Sequence, residues 1–238
     1  MKNFTFTRFM FAGFLSLAVG FGMVKAQGCD AYYPMKKGAA FELSHFNAKD
    51  KLESTTSTTI LEESNAGDVF SVTAESVSKD AKGKESSTVK YDVTCQGGEF
   101  HMDMRSTSFG QSQQMEGMEN VEMKIESEDM VFPKGLTVGT VLPDAGMTMT
   151  ASMNGMTIMN TTIRVFNRKV TAKEELTTTA GKFSCVVIEE DIESKMMGMN
   201  VQSHTKSWYA LGVGMVRSEN SSNGKPQGYT LLTKISGN

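Results

Sequence analysis

The stretch MTMTASMNGMTIMNTTI, residues 147–163, decides the predicted fold. Asn154-Gly155 lies at its centre and favours the type I′ turn of a two-residue β-hairpin, because both central residues of that turn need positive φ. The stretch therefore predicts two antiparallel strands joined at this dipeptide. Counting outward from the turn gives four cross-strand pairs: Met153 with Met156, Ala151 with Ile158, Met149 with Asn160, and Met147 with Thr162.

One face of this predicted hairpin carries most of its methionines. Residues that lie opposite each other share a face of the sheet. The outgoing strand then changes parity, since Ile163 and Val165 fall on the face opposite to Ile158. A β-bulge, or a strand covered on both sides, accounts for such a change. Threonine and serine make up the second face, and the first holds Met147, Met149, Ala151, Met153, Met156 and Ile158.

The first 26 residues have the pattern of a cleaved signal peptide. Lys2 and Arg8 precede an apolar run, and Val24-Lys25-Ala26 places small residues where a signal peptidase reads them. The run is shorter than the roughly 20 residues of a membrane span, and no later segment is comparable. We therefore expect an exported protein without a transmembrane span, in the periplasm, outer-membrane-associated or secreted, whose residues 27–238 form a single all-β domain.

The charge balance excludes some classes of partner. Three of the 24 Lys and Arg residues lie in the predicted signal, which leaves 21 against 27 Asp and Glu in the mature chain. A nucleic-acid-binding protein normally carries a basic stripe, and a surface for anionic lipid carries a polybasic run. The sequence has neither feature, so we expect no nucleic-acid partner.

Most of the remaining chain alternates polar and apolar residues between turn signals. In the clearest hairpin, Gly97-Gly98 is predicted to bring Met102 opposite Val93 and Met104 opposite Tyr91, on the core face. A second turn, at Met197-Gly198, predicts several cross-strand pairs, among them Asp191 with His204. About a dozen such strands and no credible long helix predict an all-β fold, a curved antiparallel sheet or open barrel.

The cysteines leave two pairings open. Cys29, Cys95 and Cys185 all remain in the mature chain, and export permits a disulfide. The preferred pair is Cys29 with Cys95. Ala26-Gln27-Gly28 before Cys29 is a poor match to a bacterial lipoprotein signal, and lipidation there would leave Cys95 and Cys185 as the only pair.

No catalytic motif is visible. The three histidines, His45, His101 and His204, are the only candidate histidine bases, and no nucleophile-elbow, zinc-protease or phosphate-loop pattern accompanies them. The predicted Asp191–His204 pair is interpreted as an ion pair on a solvated face. We therefore expect neither enzymatic activity nor a cofactor.

The methionines allow three interpretations. Methionine can fill an irregular core, or it can line a concave sheet that repacks around an apolar ligand or partner. In the third interpretation thioethers bind Cu(I), and the ligands are Met147, Met149, Met153 and Met156. The predicted function is binding of an apolar small molecule or an envelope protein, with the candidate site formed by Met102, Met104, Met147, Met149, Met153, Met156 and Ile158.

Two motifs carry a resemblance to a known family. Residues 180–185, AGKFSC, and residues 206–217, KSWYALGVGMVR, resemble the TapB-like family of exported bacterial proteins, which is related to a group of uncharacterised periplasmic β domains. The resemblance spans nearly the whole mature chain. It implies a strongly curved sheet and no enzymatic activity. The motif residues with expected structural roles are Gly181, Phe183, Trp208, Tyr209, Gly212 and Gly214.

Overall fold

The computed structural model describes residues 31–104 and 121–237, which form one antiparallel sheet. Its described strands follow the order β6-β8-β9-β10-β11-β12-β13-β1-β2-β3-β4-β5-β7. Their bounds are β1 Ala40–Asn47, β2 Leu52–Ala66, β3 Val69–Asp80, β4 Glu85–Gln96, β5 Glu99–Met102, β6 Glu122–Glu128, β7 Met130–Phe132, β8 Ala145–Met153, β9 Met156–Thr178, β10 Gly181–Met196, β11 Met199–Ala210, β12 Gly214–Ser222 and β13 Lys225–Ser236.

The sheet curls into a nearly closed barrel, as predicted. Register shifts interrupt most of the long ladders, including β9–β10, β11–β12 and β1–β13. Each extra residue increases the local twist and bends its strand, so the sheet curves instead of extending flat. The predicted signal peptide, residues 1–26, and Cys29 lie outside the described residues.

The central hairpin forms where it was predicted, but its register was wrong beyond the first pair. Asn154 and Gly155 have φ values of 53° and 76°, as a type I′ turn requires. Ile158 is an extra residue, so Met159 and not Ile158 lies opposite Ala151. The corrected pairs below this bulge are Met149 with Thr161 and Met147 with Ile163. The bulge explains the change of parity, because it returns Ile163 to the methionine side.

The second predicted hairpin is confirmed up to Met102. Gly97 and Gly98 form its turn, and Val93 lies opposite Met102. The β5 strand ends at Met102, so Met104 is not in the ladder and the predicted pair with Tyr91 was wrong.

Both faces of the β10–β11 pair are buried. Tyr209 packs with the larger core cluster, which includes Phe100 and Phe132. Trp208, on the opposite face, packs with the second cluster, which includes Val187 and Leu232. The two motif aromatics therefore pack on opposite faces of the sheet. It also explains why residues 185–188 are apolar at successive positions.

Two motif glycines join the beginning of the described chain to the end of β11. The backbone N–H of Gly212 donates to the carbonyl of Ala31. Gly214 has a φ of 100°, and a Cβ there would lie 3.7 Å from Pro34 and from the Tyr32 carbonyl oxygen. Gly181, at a φ of 142°, lies beside the Phe183 ring. Glycine allows the backbone conformation at each of these positions.

Cys185 is a free, buried thiol. The alternative pair Cys95–Cys185 is therefore not formed, whereas the pair Cys29–Cys95 stays a prediction because Cys29 is outside the described residues. Burial, with a further contribution from the nearby Glu174 carboxylate, raises the pKa of the Cys185 thiol to about 11. A thiol is reactive mainly as its thiolate.

We expect native Cys185 to resist alkylation by iodoacetamide at pH 8, because the thiol is both buried and protonated. The measurement is the mass of the native chain after alkylation, compared with alkylation in guanidinium without reductant. Labelling of the native chain at the rate of the unfolded chain would contradict this prediction. Alkylation of Cys185 alone in the unfolded chain is the result expected if Cys29 and Cys95 are paired.

Candidate functional site

Mostly apolar side chains, interrupted by a few hydroxyl residues, line one face of five neighbouring strands, here called the methionine face. The pairing register defines it, because directly opposed residues share a face. One row crosses β6, β8, β9, β10 and β11 through Ile125, Met149, Thr161, Met196 and Met199. The rows on either side and at the tip add Met147, Ile163, Val201, Met123, Ala151, Met159, Met153 and Met156.

Exposure increases across the methionine face from its middle to its rim. Met147 and Met149 on β8 are only 3% and 5% exposed. Met196 and Met199, which flank the β10–β11 turn, are 42% and 60% exposed, and Val201 is 55% exposed. The face therefore has a buried part and an open rim formed by hairpin tips.

The other side of the same strands is polar. Thr148 and Thr162 hydrogen-bond across the β8–β9 ladder at 3.3 Å, and Lys195 pairs with Glu193 at 3.0 Å. The β11–β12 ladder begins only at His204, so the first part of β11 extends beyond β12. The tips of the β8–β9 and β10–β11 hairpins, with β6 beside them, therefore form a protruding amphipathic end of the sheet, here called the flap.

A buried ion pair lies where the main core meets the methionine face. On β10, Ile188 belongs to the core and Ile192 begins the flap, with Glu190 between them on the same face. Arg168 is fully buried, and its Nε donates to Glu190 at 3.1 Å. Burial raises the pKa of the Glu190 carboxyl, and this effect exceeds the lowering by the Arg168 charge.

Arg168 also connects the two ends of the curled sheet. Its Nη1 donates to the carbonyl oxygens of Val131, on edge strand β7, and of Pro143, at 3.1 and 2.7 Å. The guanidinium lies 5.2 Å from the centroid of the Phe132 ring. One side chain on β9 thereby donates a hydrogen bond to the backbone of β7, the strand at the opposite end of the sheet order. No local pattern predicts this contact, because in the sequence Arg168 is one of several charged residues in a polar strand.

The predicted site residues do not all belong to one surface. Met102 lies opposite Met130 and packs against the main core, so it is not part of the methionine face. Met147 and Met149 are buried, whereas the tip residues Met153, Met156 and Ile158 are 40–68% exposed. Sequence reasoning missed Met123, Ile125, Met159, Met196, Met199 and Val201, although the alternation around Met197-Gly198 was a usable signal for the last three.

The four methionines of the copper prediction are not gathered at one point. Met147 and Met153 are six residues apart on one strand, about 20 Å at the rise of a β-strand. Met153 and Met156 are directly paired at the tip, but Met147 lies in the buried part of the face. In this arrangement the four side chains lie too far apart to hold one ion together, and copper binding stays a prediction. Within residues 31–104 and 121–237, no group of three His, Cys, Asp or Glu side chains is arranged to hold a metal.

The predicted Asp191–His204 pair is confirmed, with 2.9 Å between Oδ1 and Nδ1. Ser221 lies directly opposite His204, and both line a cleft of about 350 Å³. However, the Ser221 hydroxyl donates to the His204 carbonyl, and Nε2 of His204 lies 3.7 Å from Glu189. Hydrogen bonds from Asn167 and His204 hold the pKa of the Asp191 carboxyl below its usual range. The geometry is that of a cross-strand hydrogen-bonded pair, and in the described part of the chain no hydroxyl is placed on Nε2 of His204.

The chain belongs to the DUF3108-like family, whose model matches residues 36–232. Among solved structures, a "putative lipoprotein" from Parabacteroides distasonis ATCC 8503 is 22% identical, with a TM-score of 0.72 over 88% of this chain and 100% of its own. A "putative exported protein with YmcC-like fold" from Bacteroides fragilis NCTC 9343 is 21% identical, with a TM-score of 0.69 over 86% of this chain and 98% of its own. A comparison with curated proteins finds no match.

The two solved structures share the fold of this chain. At 21–22% identity, the comparison shows a shared fold alone. In the described residues, no helix is long and apolar enough to cross a membrane.

Proposed function

We propose that this protein is an exported, non-enzymatic protein of the bacterial cell envelope that binds an apolar ligand or partner through the methionine face. The narrower assignment to the TapB-like family, and a location in the periplasm, at the outer membrane or outside the cell, are part of the same proposal. The observation that carries it is the continuous apolar face across β6 and β8–β11, whose rim is open to solvent.

The distribution of exposed apolar side chains supports this proposal. Among the described residues, most of the large apolar side chains that are exposed lie on the flap. A contiguous apolar surface of this kind marks an interaction site more often than scattered exposed residues do. Flexible methionine side chains repack around ligands of different shape. The flap residues with this exposure are Met153, Met156, Ile158, Met196, Met197, Met199 and Val201.

The N-terminal segment and the flap lie at opposite ends of β11. Ala31 is hydrogen-bonded beside the Ala210 end of β11, and Met199 begins the opposite end. Ala210 lies eleven positions after Met199 on the strand, a distance of about 36 Å. The open rim of the methionine face therefore lies at the end of β11 farthest from the N-terminal segment.

The supporting test compares two neighbouring lysine substitutions on β11. Val201 lies on the methionine face and Gln202 on the polar face, and both are exposed. We expect Val201→Lys to weaken saturable binding of the neutral dye N-phenyl-1-naphthylamine at least tenfold, since the new charge must be desolvated by a bound apolar ligand. Gln202→Lys should leave dye binding unchanged, and both variants should keep their stability within about 1 kcal/mol.

Fluorescence titration measures the dye affinity, and urea unfolding measures the stability of the same preparations. Absence of saturable dye binding by the unmodified chain would end the proposal. An equal loss of affinity in both variants would show that the dye does not occupy the methionine face.

A further inference from the structure

The turns of the curled sheet alternate between its two ends, because the strands pair antiparallel with their neighbours. Five described turns lie at one end, here called the tip rim, and connect β8–β9, β10–β11, β12–β13, β1–β2 and β3–β4. The first tips step back along the strands, since Met196 lies opposite Thr161 and the β11–β12 ladder begins at His204. A stagger of this kind accompanies the tilt of strands in a curled sheet and allows the tips to share one rim.

Two neighbouring tips of the rim are apolar and uncharged. The β8–β9 hairpin has no Asp, Glu, Lys or Arg from Ala145 to Ile163, and the β10–β11 tip has none from Met196 to Ser203. Met156 is 68% exposed, and Met197, in the β10–β11 turn, is 73% exposed. These tips therefore present apolar side chains to solvent where the sheet protrudes.

Lysine is concentrated on the other three tips of the same rim. These tips, with two strand residues on each side, hold six lysines against four carboxylates, although the mature chain as a whole is acidic. All six lysines are exposed, and the ion pairs in the described part of the chain use other lysines. The lysines are Lys49, Lys51, Lys79, Lys82, Lys84 and Lys225, and the carboxylates are those of Asp50, Glu53, Asp80 and Glu85.

The carboxylates of these tips are engaged by neighbouring groups. Oδ1 of Asp80 accepts the backbone N–H groups of Lys82 and Lys84, both at 2.9 Å. Asp50 accepts a hydrogen bond from the Tyr229 hydroxyl, which helps to raise the pKa of that tyrosine. The ammonium groups are therefore the charges that these tips offer to a partner.

We propose that the tip rim docks this protein onto the surface of an anionic phospholipid bilayer, with the two apolar tips inserted and the lysines at the lipid phosphates. The proposal rests on the proposed function and names the apolar partner of the flap. An interfacial segment buries its apolar side chains about 5–10 Å deep, roughly two to three residues of a strand. Each lysine near an anionic surface adds attraction. The sequence has no polybasic run, but the fold brings lysines from three separate turns to one rim.

A second copy of this chain fits the tip rim less well than a bilayer does. A stable protein interface takes about 20–30 residues from each side, whereas the flap exposes seven large apolar side chains among its described residues. A symmetric dimer would also use the same patch on both copies, which brings lysine tips towards one another. A bilayer instead offers opposite charge to the lysines and hydrocarbon to the methionines.

The test is co-sedimentation of residues 27–238 with vesicles of phosphatidylethanolamine and phosphatidylglycerol. We expect binding that weakens with added salt, because salt screens the lysine–phosphate attraction. The variant Lys49→Gln/Lys82→Gln/Lys225→Gln removes one charge from each lysine tip. It should lower the vesicle affinity at least about tenfold, since each lysine contributes roughly a fivefold factor near an anionic surface.

The matched control is Lys36→Gln/Lys134→Gln/Lys182→Gln, which makes the same change of net charge at exposed positions of the opposite end. We expect it to keep the vesicle affinity. Equal losses in the two lysine variants, or no binding of the unmodified chain to these vesicles, would overturn the docking proposal.

A second pair of variants tests the inserted tip. Met197→Asn removes an exposed apolar side chain, and asparagine tolerates the φ of 48° at this position, so the variant should fold. We expect it to lower vesicle affinity at least about fivefold, because a methionine is no longer buried in the bilayer. Leu211→Asn, at a residue 56% exposed at the opposite end, should have no effect on vesicle binding.

The dye titration separates docking from the proposed function. The lysine-tip variant should keep its affinity for N-phenyl-1-naphthylamine, since its three positions lie outside the methionine face. Saturable dye binding without vesicle binding would end the docking proposal and leave the proposed function standing, whereas loss of both would end both. Self-association that Met197→Asn abolishes, without vesicle binding, would assign the rim to a second copy and overturn the bilayer.

Discussion

Arg168→Met is expected to lower the free energy of unfolding by about 3–5 kcal/mol, because it leaves a buried carboxylate without its charge partner. In the native chain Arg168 donates to Glu190 and to the carbonyl oxygens of Val131 and Pro143. Methionine fills part of the same volume but donates no hydrogen bond. Urea unfolding, followed by tryptophan fluorescence from Trp208, measures the change.

Two further variants separate the charge from the hydrogen bonds. Glu190→Gln removes the buried charge but keeps an acceptor for Arg168, and should cost less than Arg168→Met, about 1–3 kcal/mol. Arg168→Met combined with Glu190→Leu removes both charges, and should recover only part of the loss, because the two carbonyl oxygens remain without their donor. A cost below about 1 kcal/mol for Arg168→Met would show that the ion pair does not hold the sheet ends together.

Phe132→Ala is expected to cost about 3–5 kcal/mol, the range for truncating a fully buried aromatic side chain. Phe132 is 1% exposed, and its ring lies 5.1 Å from Tyr209, 5.4 Å from Phe100 and 6.2 Å from Tyr32. The same ring contacts the Arg168 guanidinium. The truncation therefore leaves a cavity where β7, β5, β11 and the first described segment meet.

The control for this prediction is Phe46→Ala. Phe46 also stacks on an aromatic ring, Tyr229 at 5.0 Å, but it is only half-buried. Its truncation should cost clearly less than that of Phe132, because less apolar surface is removed from a packed environment. Urea midpoints of both variants give the comparison. Equal costs would mean that Phe132 is not a central contact of the core.

Local chemistry made much of the fold predictable. Asn154-Gly155, Gly97-Gly98 and Met197-Gly198 each form the predicted turn. The pairs Asp191–His204 and Val93–Met102 follow from those turns by counting. Trp208 and Tyr209 lie on opposite faces for the same reason, the two-residue period of a strand. These features depend on a few neighbouring residues and are therefore readable from sequence.

The candidate site was predictable only in part. The extra residue at Ile158 shifts every pair below it by one position, so the cross-strand pairs counted from the turn were wrong beyond Met153–Met156. The residues next to a bulge do not by themselves specify its position. The stabilisation comes from contacts that the realigned side chains make with neighbouring strands. The pairing of β6 with β8 was also missed, because β7, which follows β6 in the chain, pairs with β5 instead.

The sequence by itself determined the strands, their turns and the presence of a methionine-rich surface, because these follow from alternation and turn geometry within short segments. Only the tertiary structure decided which methionines are buried and which reach solvent. It also placed Arg168 between the two ends of the sheet. Such properties depend on contacts between strands far apart in the chain, and hydrophobic patterning does not encode which distant strands meet.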